Sequence, residues 1–123
     1  MKALLYIFLI ILFLSFIIEK YSPISPLDIA IKTLVRQASR WTTASMQDEN
    51  SMIAVLHANY GAGYLWALKD IASENDIERA SGIKLKTFER EIIKVQDRAT
   101  KRMASLCPSY APKRTYLSEL GGE

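Results

Sequence analysis

The chain holds one cysteine, Cys107, and one histidine, His57, among 123 residues. A lone thiol excludes an intrachain disulfide and leans towards a reducing compartment. Metal sites draw on clustered histidine, cysteine or carboxylate, and no such cluster stands out along the sequence. A phosphate-cradling glycine loop is also missing. Gly61-Ala62-Gly63 lies inside a helical pattern with no lysine directly after it. There is no Asn-x-Ser/Thr glycosylation acceptor, no internal repeat and no low-complexity run. Catalysis needs convergent groups, and nothing in the sequence brings His57 to Cys107, which stands before Pro108 at a helix end. The chain therefore reads as non-enzymatic, with no catalytic residue, no cofactor and no metal.

Charge is absent from two stretches. The first is residues 3–18 (ALLYIFLIILFLSFII), where Ser15 is the one polar side chain. As a helix these sixteen residues cover about 24 Å, a little short of the ~30 Å hydrocarbon core. Lys20 and Tyr21 can make up the difference at the interface. A buried core helix normally keeps a polar stripe, and this one has none. A cleaved signal peptide would end in a small-x-small site, yet Glu19, Lys20, Tyr21, Ser22 and Pro23 follow. Residues 1–20 are thus expected to be an uncleaved single-pass membrane anchor. Lys2 precedes the span, whereas Lys20, Lys32 and Arg36 follow within about 20 residues, which favours a cytoplasmic C-terminal domain.

The second uncharged stretch is residues 51–68 (SMIAVLHANYGAGYLWAL), whose apolar pattern continues to Ile71. Ile53, Leu56, Tyr60, Tyr64, Ala67 and Ile71 form one stripe at helical spacing; Met52, Val55, Ala62 and Trp66 lie on another side. A helix apolar nearly all round is expected to be buried, here as the centre of a bundle. Ala54, Ala58 and Ala62, with Gly61 and Gly63 beside them, make a small-residue strip for close helix packing. The same strip, if exposed, would serve a homo-oligomer. The stretch is just long enough to span a membrane a second time, but His57 and Asn59 near its middle would be costly in lipid. His57 reads as a core histidine with an internal hydrogen bond. Asn59, Tyr60 and Tyr64 read as internal hydrogen bonds that fix register, with a ligand or enzymatic pocket around His57, Asn59 and Tyr64 as the sharper alternative.

Two amphipathic segments flank this stretch. After the stiff spacer 21–26 (YSPISP), Ser25 is placed to cap a helix with Pro26 first and Asp28 in the capping-box position. Its apolar face is Leu27, Ile31, Leu34, Val35, Ala38 and Trp41, and it is expected to end near Ala44. Residues 47–50 (QDEN) turn the chain, with Asp48 or Asn50 as the next cap. A short helix over 76–81 is expected to stop at Gly82. The last helix is expected over 85–106, with Leu85, Phe88, Ile92, Val95, Ala99, Met103 and Leu106 on one face. The tail, 108–123, has no periodicity and reads as extended or disordered. The fold class is all-α: an N-terminal transmembrane helix (1–20), a linker (21–26), a small antiparallel three-helix bundle (27–107) and the tail.

Opposite the apolar faces stand basic rows: Lys32, Arg36 and Arg40 on the first amphipathic helix, and Lys86, Arg90, Lys94, Arg98 and Arg102 on the last. Such rows are ordinarily solvated outer faces. Their functional form is contact with an anionic surface beside the anchor. Net charge is +3 and the pI is about 9.0, too mild a balance to choose a partner. Residues 77–92 have the outline of a DNA-binding helix-turn-helix, but Glu78 stands where a small residue is wanted, and Glu89 and Glu91 would face phosphate. Nucleic acid is thus the rival partner, behind a membrane-tethered interaction or scaffold role with a protein partner or a second copy.

Overall fold

A computed structural model describes residues 2–21 and 23–110. It is all helical: α1 (Lys2–Tyr21), α2 (Pro26–Gln47), α3 (Ser51–Ile71), α4 (Glu74–Ser81) and α5 (Leu85–Leu106), then a 3-10 turn over Pro108–Tyr110. The expected tail lies outside the described residues from 111 onwards.

α1 runs for 20 residues, so it extends through both flanks of the uncharged run and reaches about 30 Å. It is long and apolar enough to cross a membrane, with a mean hydropathy of 2.3 over its most apolar 18 residues. None of its residues is buried. The Ser15 hydroxyl donates to the Ile11 carbonyl at 2.8 Å, so it is satisfied within its own helix.

The caps explain the boundaries of the remaining helices. Ser25 Oγ accepts from the Asp28 amide at 3.0 Å, with Pro26 as the first helical residue. No breaker follows Ala44, and α2 continues to Gln47, three residues beyond expectation. Asn50, rather than Asp48, caps α3, accepting from the amides of Met52 and Ile53 at 2.9 and 3.2 Å. Ser73 caps α4 from the Asp76 amide at 3.2 Å, so that helix starts at Glu74, two residues earlier than expected. Gly82 closes α4 at φ 72°, the left-handed region that glycine enters without a Cβ clash.

α3 packs against α2 and α5, and its contacts run in opposite chain order to both. Ser45 donates to the Ala54 carbonyl at 2.7 Å, while the earlier Thr42 lies against the later Gly61. Gln96 donates to Asn59 at 2.9 Å, while the earlier Glu89 meets the later Lys69 at 2.6 Å. The main core joins Ile31, Ala38, Ala62, Leu65, Leu68, Ile77, Leu85 and Ile92. A smaller cluster of Ala54, Val55, Ala58 and Ala99 sits nearer the 48–50 turn. Ile77 of α4 is fully buried, so the short helix is a core element and the packed unit has four helices, α2 to α5.

The surroundings of α3 also differ from expectation. α3 is not enclosed on all sides. Its buried line is Ala54, Val55, Ala58, Gly61, Ala62, Leu65 and Leu68. Most of the bulky stripe expected in the core faces outward instead: Ile53, Leu56, Tyr60 and Ile71 are exposed, and Tyr64 is half-buried. The small residues let the neighbouring backbones approach closely, which fixes them inside. Among the described residues, no element covers the far side.

Candidate interaction surface

The outward side of α3 is a continuous apolar strip. Ile53, Leu56, Tyr60, Ala67 and Ile71 recur at helical spacing over residues 53–71, a rise of about 27 Å. Tyr60, Leu56 and Ile71 are 45%, 42% and 47% exposed. Scattered apolar residues on a surface are ordinary; here they are contiguous along one helix face.

α2 extends this strip through Trp41, which sequence reasoning assigned to the core face. Trp41 is half-buried at the α2–α3 edge. Its ring centroid is 5.3 Å from that of Tyr60, edge-on, and 5.0 Å from that of His57. The Arg40 guanidinium lies 5.6 Å from the Trp41 ring centre, within cation–π range. Trp41, Asn59, Tyr60, Gly63, Tyr64 and Ala67 line an open groove of about 370 Å³. His57 stands beside this groove and is not part of its lining. Its Nδ1 is 2.6 Å from Asp48 Oδ2, with both side chains about one-fifth exposed. Asp48 is free for this pairing because Asn50 has taken the cap. The sequence held the Asp48–His57 signal only as two cap candidates competing within one short turn.

The basic residues are divided by the structure. Lys32, Arg36 and Arg40 are exposed on α2, and Arg36 and Arg40 have no carboxylate partner among the described residues. Lys86, Arg90, Lys94, Arg98 and Arg102 are exposed on α5. Lys86, Arg90 and Lys94 lie opposite the buried line Leu85, Ile92, Val95 and Ala99, whereas Arg98 and Arg102 flank it. Arg90 is 3.8 Å from Glu91. Arg102 donates to the backbone carbonyls of Asp48, at 3.1 Å, and Glu49, so it clamps the α2–α3 turn. Arg98 and Arg102 also line a narrow cleft with Ser45 and Ala54.

Ala54, Ala58 and Ala62 are each 2% exposed, inside the packed unit. A second copy therefore cannot use that strip. Gly61, on the same side, lies against the α2 backbone: a Cβ there would stand 3.1 Å from the Thr42 nitrogen and 3.3 Å from the Ala38 carbonyl oxygen. Gly63 faces open space.

A charged network ties α4 to the helix starts around it. Arg79 reaches Asp28 of α2 at 3.1 Å and Asp76 of its own helix at 3.4 Å. The Arg79 bonds hold the Asp28 carboxyl below its ordinary value, and the Ser73 hydroxyl leads the same effect at Asp76. Glu78 spans the turn: one oxygen accepts from Lys84 Nζ at 2.9 Å, the other from the Leu85 amide at 3.0 Å. These two bonds, Lys84 first, lower the Glu78 carboxyl. Lys84 offers α5 no side-chain cap, so Glu78 supplies the missing acceptor and a negative charge at the positive end of the helix. The residue that misfits a DNA-binding turn is thus an internal cap. Glu89, on the would-be recognition helix, is paired with Lys69.

Among the described residues, no three of His, Cys, Asp or Glu group as metal ligands do. Compared with protein-family models, curated proteins and solved structures, the chain matches none.

Proposed function

We propose that the chain is a single-pass membrane protein whose α1 anchors a non-enzymatic helical interaction module beside one membrane face. The observation that carries this reading is the contrast between two parts of one chain. α1 is apolar and buries nothing, whereas α2 to α5 bury a core of their own. A helix that contributes no residue to a packed core, yet exposes Leu, Ile and Phe all round, has hydrocarbon as its natural solvent. The spacer from 22 to 25 is four residues long and spans at most about 14 Å, so the module stays within reach of the bilayer surface. The excess of basic residues after α1 favours the cytoplasmic side. The outward strip of α3 supports an interaction role over a purely solvated one. Glu91 stays exposed on the would-be recognition helix, which weighs against nucleic acid as the partner.

Cys107 makes the test direct, because it is the one thiol. Intact cells bearing the full chain are treated with a membrane-impermeant thiol reagent, before and after permeabilisation, with a denatured control for the half-buried sulfur. Labelling only after permeabilisation is expected. Labelling of intact cells would put the module outside and remove the cytoplasmic reading.

A further inference from the structure

We propose that the outward strip of α3, with Trp41 and Arg40 of α2, docks onto the acidic headgroups of the bilayer that α1 crosses. This deepens the anchored-module reading and rests on it.

Three observations select lipid as the occupant. The first is composition. The strip offers Ile53, Leu56 and Ile71 for the acyl boundary and Tyr60 with Trp41 for the headgroup level, where Tyr and Trp concentrate. The second is charge. Arg40 lies over Trp41 at the edge of this face, without a carboxylate partner among the described residues. Its long stem lets the cation reach phosphate while the apolar strip inserts. The nearby acids stand at the ends of the strip: Asp48 is taken by His57, while Glu49 and Asp70 are exposed. The third is area. A strip about 27 Å long on a helix about 10 Å wide covers roughly 300 Å², well below the ~800 Å² per partner of a stable protein interface. A protein docked on this strip alone would be weakly held. A surface already within about 14 Å through the spacer needs far less intrinsic affinity, because the tether supplies a high effective concentration.

Lys86, Arg90 and Lys94 of α5 do not take part. They point away from the core on their own helix, while the strip lies on α3 away from the buried line that meets α2 and α5. One planar surface cannot meet both.

The test uses the full chain with Trp66→Phe, so that Trp41 is the sole tryptophan. It is reconstituted into phosphatidylcholine vesicles with or without about one-third phosphatidylglycerol, each carrying lipids brominated high on the acyl chain. Flotation is scored first, then quenching of Trp41. The expected result is flotation in both lipids, with strong quenching and a blue shift in the acidic vesicles only. Leu56→Asp should abolish the quenching without affecting flotation. Arg40→Gln should lower the docked-to-free ratio roughly five-fold, the effect of one cation near an acidic surface. Helical content by circular dichroism should be unchanged in every variant, since the altered residues are exposed. Flotation with unquenched Trp41 in acidic vesicles would overturn the docking and leave the anchor standing. Equal quenching in both lipids would overturn the acidic preference. Unquenched Trp41 accompanied by dimers in single-protein photometry would hand the strip to a second copy. Failure to float would overturn the anchor itself, and the docking with it.

Discussion

Gly61 and Thr42 meet where the backbones of α3 and α2 come closest. A methyl group on Gly61 would overlap Thr42 Oγ1 and press on the backbone of both Thr42 and Ala38. Gly63, half a turn away, has nothing within 4 Å of its would-be Cβ. The same change should therefore have opposite signs at the two positions. Gly61→Ala should destabilise, because overpacking costs about 1–3 kcal/mol and outweighs the roughly 0.5–1 kcal/mol gained in helix propensity. Gly63→Ala should stabilise by about 0.5–1 kcal/mol. Thr42 Oγ1 is buried without a hydrogen-bond partner among the described residues, so Thr42→Ala should rescue Gly61→Ala. Urea unfolding of the full chain in micelles, followed by circular dichroism, measures all three. Equal effects at 61 and 63 would mean that α2 and α3 do not approach here.

Burial separates Ile77 from Leu56, although both are aliphatic residues on helices. Ile77 is fully buried and Leu56 is 42% exposed. Ile77→Ala should cost about 2–5 kcal/mol, as buried Ile truncations do. Leu56→Gln should fall within about 0.5 kcal/mol of the parent, as exposed substitutions do. The same unfolding measurement decides. A large loss at Leu56 would put the strip inside, and a small one at Ile77 would remove α4 from the core.

The acid response follows from Asp28, Asp76 and Glu78. Their ordinary values are 3.8, 3.8 and 4.5, and all three are lowered in the folded chain. A lowered folded-state value means the unfolded chain takes up the proton first as pH falls. Their contribution is thus fully present above about pH 5 and is lost as pH drops through 4.5 and below. Lys84 and Arg79 are raised, so their share is present throughout this range and is lost only in strong alkali. Melting temperature should be level from pH 7 to 5 and then fall. Glu78→Gln keeps an acceptor for the Leu85 amide but no longer titrates, so its acid decline should be shallower. A decline as steep as the parent's would show that Glu78 makes no such contribution.

Local chemistry was legible wherever one residue type has one favoured role. Ser25-Pro26-Leu27-Asp28 announced a helix start, Gly82 a stop, and the spacing from Leu85 to Leu106 a whole helix. The all-α fold and the apolar N-terminal helix followed from such signals. What periodicity does not carry is the number of neighbours. Residues 51–71 hold two apolar sides, and the sequence does not say which one a small bundle can cover. Packing chose the side with alanine and glycine, because close backbones bury it best, and left the bulkier side open. The start of α4 was legible too, since Asp76 three residues after Ser73 marks Ser73 as a cap. Glu78 looked like a flaw in one motif, and its role as the cap of α5 needed the fold.

The central claim is that α1 remains in the mature chain and holds it in a bilayer. Alkaline carbonate extraction of membranes carrying the full-length protein, followed by intact mass measurement of the recovered chain, tests it most directly. The account predicts recovery in the membrane pellet at the full 13.9 kDa. Release into the supernatant, or a mass short by the α1 segment, would contradict it.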